Sequence, residues 1–154
     1  MSDIKKTIYS IGHSTHPIEH FLYLLQRYGI EVIADVRRFP SSKSNPQYQL
    51  EQLKCELARS GVEYHWLGDA LGGFRNGGYL EYMKSESFLK GIEQLTSIAE
   101  SKRTAIMCAE KLFFRCHRRF IADHLVLLGW RVIHVLDENK SYPHISSNTI
   151  IMQL

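Results

Sequence analysis

Three short apolar runs each end in reactive polar side chains: Ile11 and Gly12 lead into His13, Ser14 and Thr15; Ala34 leads into Asp35, Val36, Arg37 and Arg38; Met107 leads into Cys108, Ala109 and Glu110. His13 is a candidate proton shuttle or hydrogen-bond donor, because an imidazole titrates near neutrality. Asp35 and Glu110 are candidate carboxylates for proton transfer. Glu110 is favoured, since burial where its strand ends would raise its pKa toward a useful range. Arg37, Arg38 and Arg118 carry planar guanidiniums suited to paired hydrogen bonds with a phosphate or carboxylate. Ser14, Lys43 and the hydroxyls around Lys43 extend that anion-friendly surface.

Cys116, His117, Arg118 and Arg119 open a helical stretch after Lys111 to Arg115. A thiol at a helix amino terminus among cations has its thiolate favoured, which makes Cys116 the candidate nucleophile, with His117 beside it. Cys108, inside an apolar strand, reads as a buried core residue. Gly72 and Gly73 permit close approach of backbone to a ligand, and Tyr79, Tyr82 and Phe74 offer stacking faces for a base or sugar. Each of these also has a plainer role. Ser14 or Thr15 suits the cap of the helix that begins near Pro17. Asp35 and Arg37 suit a structural ion pair, Glu110 a loop salt bridge with Arg118, Cys116 a packed helix start, and Tyr82 a core position. His16 and His20 are spaced like metal ligands, but the acidic residue of the metalloprotease pattern is missing, and no paired cysteine spacing suggests zinc. No metal and no cofactor is expected.

The elements that must hold these groups repeat along the chain. Tyr28, Gly29 and Ile30, Ser60, Gly61 and Val62, and Leu128, Gly129 and Trp130 each close a helical pattern and open a strand-like one, with glycine suited to the left-handed residue just past a helix. Ile18, Phe21, Leu22, Leu25 and Tyr28 recur at helical spacing, as do Leu50, Leu53 and Leu57, then Phe88, Ile92, Leu95 and Ala99, then Ile121, Leu125 and Leu128. Short apolar runs alternating with these helices predict a single-domain, three-layer α/β fold: a mainly parallel sheet of about five strands with helices on both faces. Residues 137–154 form a tail or an edge strand, the apolar stretch Thr149 to Met152 being the candidate. In such folds the ligand crevice lies at the carboxyl ends of the strands, where all three clusters fall. Asp35 and Arg37 should project to one side of their strand and Val36 to the other.

At 154 residues and 44% hydrophobic, the chain suits one domain with a core of its own. Its net charge of +3 is too mild to demand a nucleic-acid partner, so local clusters must make that case. Three cysteines without a signal-type apolar region point to reduced thiols and a cytoplasmic protein, and no run approaches the roughly 18 residues of a membrane span.

In order and spacing, Ile11 to Ser14, Asp35 to Arg37 with Pro40, Asn45 and Pro46, Leu71 to Gly73, Tyr82 and Met83, Cys108 to Glu110, Cys116 to Arg118, and Ile121 and Ala122 resemble the domain of unknown function 488 family of small bacterial and archaeal α/β proteins. The resemblance implies a cytosolic single-domain fold and assigns no reaction. Members commonly carry an acidic residue and a proline between the glutamate and the Cys-His-Arg motif, whereas here Lys111 to Phe114 fill that stretch.

The leading expectation is an enzyme performing group transfer or hydrolysis on a phosphorylated, nucleotide-like or nucleic-acid substrate. Arg37, Arg38 and Arg118 would hold the anion, and His13, Asp35 and Glu110 would handle protons. The first alternative is a thiol-based enzyme using Cys116 as nucleophile or redox residue. The second is a noncatalytic module that binds nucleic acid or protein through Arg37, Arg38, Lys43, Arg115 and Arg119. The expected partner in the leading case is a small anionic or nucleotide-like ligand. No glycine fingerprint for a dinucleotide follows the first strand, and no membrane partner is expected.

Overall fold

The computed structural model describes residues 6–145. Six strands form one sheet: β1 (Thr7–Gly12), β2 (Val32–Asp35), β3 (Glu63–Trp66), β4 (Thr104–Cys108), β5 (Arg131–Asp137) and β6 (Lys140–Pro143), in the order β3-β2-β4-β1-β5-β6. The first five are parallel, and β6 returns antiparallel along β5. The long helices are α1 (Ile18–Arg27), α2 (Leu50–Arg59), α5 (Glu86–Ser101) and α6 (Arg118–Leu127). Two short ones, α3 (Gly68–Leu71) and α4 (Tyr79–Tyr82), flank a segment that carries Gly72, Gly73, Gly77 and Gly78.

The helical stripes bury as their spacing requires. Phe21, Leu24 and Leu25 of α1 and Leu53 and Leu57 of α2 pack with Ile11, Ile33, Ala105 and Met107 on one face of the sheet. Phe88, Ile92 and Leu95 of α5 and Ile121 and Leu125 of α6 pack with Ile8, Ala34, Val36, Ile106 and Cys108 on the other. Alternate residues of β4 therefore serve opposite layers, the signature of a strand covered on both sides. Gly29, Gly61 and Gly129 all adopt positive φ, so each helix stops in the left-handed residue that its sequence prescribes.

The sheet has six strands among the described residues, where about five were expected; the sixth is an antiparallel edge strand at Lys140–Pro143, inside the stretch 137–154 read as a tail or edge strand, while Thr149 to Met152 lie outside the described residues. Neither Ser14 nor Thr15 caps α1. Pro17 occupies that position, because Ser14 is held back in the left-handed region (φ 51°) with its N–H on the Ala109 carbonyl at 2.9 Å.

Candidate active site

From β1 the chain travels toward the β3 edge and returns at β4, so the carboxyl ends of β2, β4 and β1 lie side by side. Their extensions are knitted together. The His13 N–H donates to the Cys108 carbonyl at 2.9 Å and the Val36 N–H to the Met107 carbonyl at 2.9 Å. A Cβ on Gly12 would lie 1.9 Å from the Glu110 carbonyl oxygen, so only glycine lets β1 end against that loop. A cleft of about 380 Å³ opens at this edge. Arg37, Arg38, Gly73, Glu110, Cys116 and His117 contribute to its lining, together with Phe39, Phe74, Cys108 and Arg115. His13, Ser14, Asp35, Lys43, Gly72, Tyr82 and Arg118 do not.

Beneath the cleft, on the α1–α2 face, Asp35 and Arg37 make the ion pair that strand alternation anticipates. The Arg37 Nε donates to Asp35 Oδ1 at 2.9 Å and Nη2 to Oδ2 at 2.7 Å, while the Arg37 backbone N–H also reaches Oδ1. Tyr64 donates its hydroxyl to Asp35 Oδ2 at 2.5 Å, and Arg37 Nη1 donates to the Tyr48 carbonyl at 2.7 Å. Burial first, and then the Asp35 carboxylate, push the Tyr64 phenol above its usual range. Both oxygens of Asp35 are thus engaged, and the fully buried carboxylate does not meet the cleft. His13 stacks on Tyr48 at 4.0 Å, gives its Nδ1 proton to the Ser14 carbonyl and meets Arg37 Nη1 at 3.4 Å through Nε2. Burial pushes its pKa down to about 4, which keeps the ring neutral near pH 7. The proton-handling roles expected of His13 and Asp35 therefore give way to a positioning role.

On the α5–α6 face the chemistry is different. Cys108 Sγ at the end of β4 lies 2.8 Å from Cys116 Sγ, which stands just ahead of α6. The Arg118 backbone N–H points at Cys116 Sγ from 3.4 Å, and His117 Nδ1 lies 3.5 Å from it. His117 Nε2–H donates to the Val36 carbonyl at 2.8 Å, so Nδ1 is the nitrogen free to exchange a proton with the sulfur. This is the geometry that a thiol nucleophile and its base require, with a third group orienting the base. The hydrogen bond from Cys108, with help from His117 and Arg118, holds the Cys116 thiol well below the ordinary range, whereas burial raises that of Cys108. The two shifts run in opposite directions, which favours the anion on Cys116 and the proton on Cys108.

Arg118 is only 1% exposed and lies outside the cleft lining, so the anion-holding role expected of it has no access from the cleft. Its Nε donates to Cys108 Sγ at 2.9 Å, Nη1 to Ser10 Oγ at 2.5 Å, and Nη2 to the Glu110 carbonyl at 2.5 Å. None of these partners is a carboxylate. Ser10 in turn donates to His134 Nδ1 at 2.9 Å, His134 Nε2 donates to His144 Nδ1 at 2.8 Å, and His144 Nε2 donates to Asp123 Oδ1 at 2.7 Å. Because a guanidinium only donates, the chain of donors from Arg118 outward has one consistent direction. Burial lowers the His134 pKa to about 3, in keeping with the neutral ring this order requires.

The remaining expected residues divide. Glu110 lies on the cleft wall but is exposed, not buried, with Oε1 accepting from the Leu112 N–H at 3.2 Å. Arg38 reaches across to the Phe74 carbonyl at 2.6 Å. Lys43 is exposed, away from the cleft lining. Gly72 makes room for Arg38, and Gly73 for the His117 ring. Tyr82 donates to the Ala70 carbonyl at 2.7 Å with Arg75 4.0 Å over its face, so its stacking surface is already occupied. Sequence reasoning missed Ser10, Asp123, His134, His144, Tyr48 and Tyr64, none of which sits in a recognisable motif. It also took Cys108 for core alone. The signal for its pairing was a second cysteine at the next helix start. Among the described residues no cluster of His, Cys, Asp and Glu is arranged to hold a metal ion.

The fold and this edge define an open α/β protein with a thiol-lined cleft. A protein-family profile described as domain of unknown function DUF488 matches residues 17–125, and the chain belongs to that family. No curated protein matches the chain, and no solved structure does. The match includes both cysteines of the pair, Arg118 and Asp123, while His13, Ser10, His134 and His144 fall outside it. Among the described residues, no helix is long and apolar enough to cross a membrane.

Proposed function

We propose that this protein is a thiol-based enzyme whose nucleophile is the Cys116 thiolate, acting by group transfer or hydrolysis on an anionic, nucleotide-like substrate held in the cleft. One observation carries the reading: Arg118 is a buried cation whose side-chain partners are a thiol, a hydroxyl and carbonyls. A buried charge without a counter-ion is strongly unfavourable, and a thiolate shared by Cys108 and Cys116 is the anion at hand. The sulfur of Cys116 attacks the electrophilic atom of the substrate. The proton of the Cys116 thiol is taken up by His117 Nδ1; a bond to sulfur forms as the bond to the leaving group breaks, and the leaving group departs with its electron pair and takes that proton from Nδ1. Water or a second acceptor, giving its proton to Nδ1, then displaces the sulfur and restores the thiolate. Glu110 is the carboxylate placed to assist proton transfer at the cleft wall, and Arg38 and Arg115 supply positive charge there. Free thiols of this kind suit a reducing compartment, which favours the cytoplasm.

Alkylation by iodoacetamide across pH, with the modified cysteine assigned by mass spectrometry, tests the proposal. Cys116 should react fastest and retain its reactivity well below pH 7. A midpoint near the free-thiol value of about 8.5 would end it.

A further inference from the structure

We propose that the rim of the cleft is a binding surface for single-stranded nucleic acid, with Phe39 and Phe74 as stacking faces for bases. The inference deepens the reading of the cleft as a substrate site. Phe39 is 64% exposed and Phe74 84% exposed, with ring centroids 6.1 Å apart and tilted by 37°. They come from different loops, after β2 and after α3. Arg38 ties those loops together, its guanidinium 5.7 Å over the Phe39 ring and its Nη1 on the Phe74 carbonyl.

Phe74 is doubly unfavourable where it stands. Its φ of 59° is a left-handed conformation that a bulky side chain rarely adopts, and its ring is left in water. Such strain persists where surrounding structure enforces it, and it gathers at binding sites. The surroundings select the ligand. Arg115 on the cleft wall and Lys43 nearby in sequence to Phe39 form no salt bridge among the described residues, and Phe114 adds a third exposed ring beside Arg115. Aromatic faces interleaved with unpaired cations match a strand of stacked bases on a phosphate backbone, and they offer more stacking surface than one nucleotide needs. Glu110, on the cleft wall with only its Oε1 engaged by the Leu112 N–H, is an acceptor for an exocyclic base amine.

Fluorescence anisotropy with a fluorescein-labelled oligothymidylate of about 12 nucleotides tests this on the whole chain. Binding should weaken steeply with salt and fall by about tenfold or more in Phe39→Ala and Phe74→Ala, the loss expected for one stacked base. Phe74→Gly separates function from folding: relief of the positive φ should leave the thermal midpoint unchanged or higher while affinity still drops. Absence of binding at low salt, equal competition by thymidine monophosphate or duplex DNA, or full affinity in Phe74→Gly would each overturn the proposal. Cys116 alkylation reads the thiol chemistry separately. Strand binding with an ordinary Cys116 removes only the thiol reading, and a reactive Cys116 without strand binding removes only this one.

Discussion

Two arginines are buried at the carboxyl edge of the sheet, one on each face, and their partners could hardly differ more. Arg37 lies against a carboxylate that it grips twice, and Tyr64 completes the cage around Asp35. Arg118 donates to a sulfur, a hydroxyl and backbone carbonyls. The first cluster is neutral as built, and so it is scaffolding. The second becomes neutral only when the thiol pair loses a proton, and the proposed reactivity of Cys116 rests on that need. A buried cation thus stabilises a loop where its counter-ion is permanent, and it tunes a nucleophile where the counter-ion is titratable.

The largest expected effect lies on the scaffold side. Arg37→Met strands the Asp35 charge in the core and should cost about 3–5 kcal/mol of stability, read from urea unfolding. Adding Asp35→Leu to that variant should recover much of the loss. If Arg37→Met were tolerated like a surface change, Asp35 would not be a buried counter-ion.

Acid should act on both faces through their histidines. In the native state His13 protonates at about 4 and His134 at about 3, whereas unfolded histidines do so near 6.5. Below 6.5 the unfolded chain binds more protons, so stability is complete above that pH and declines as pH falls toward 4. For His13 alone the loss approaches about 3 kcal/mol, since each unit of pKa difference is worth about 1.4 kcal/mol. Urea midpoints measured from pH 7 to pH 4 should therefore slope, and His13→Gln should flatten the slope. An unchanged slope in that variant would remove His13 as the cause.

Arg118→Met should lose less stability than Arg37→Met, because the thiol pair can take up a proton and leave no stranded charge. Its cost should appear in reactivity, as a rise in the alkylation midpoint of Cys116 by about one unit, or about 1.4 kcal/mol. A Cys116 midpoint insensitive to this change would break the contrast between the two arginines. Ser10→Ala, which removes one acceptor from Arg118 and the donor to His134, should be the mildest, at about 1 kcal/mol in unfolding.

Much of the architecture was legible in short stretches of chain. The stripe of Phe21 and Leu25, the glycine past α1, α2 and α6 and the alternation of Ala105, Ile106, Met107 and Cys108 are local signals, and each reappears in the structure. Alternation also placed Asp35 and Arg37 together, with Val36 in the opposite layer. The site was legible as a location and much less as a set of roles. Arg37, Arg118 and Asp35 all looked available for ligand or proton, but their availability depends on partners far along the chain: Tyr64 lies 29 residues from Asp35, and Ser10 lies 108 from Arg118. No spacing rule reaches that far. The apolar neighbours of Cys108 mark it as core, and it is buried, yet the loop back to α6 sets a second sulfur against it.

What this amino-acid order determined alone was the sequence of helices and strands, the faces they bury and the edge where reactive side chains gather, since periodicity and turn chemistry act over a few residues. Only tertiary structure decided which buried arginine has a carboxylate and which has a thiol. Electrostatic partnership depends on distance through space and on exclusion of water, and both arise when the layers close.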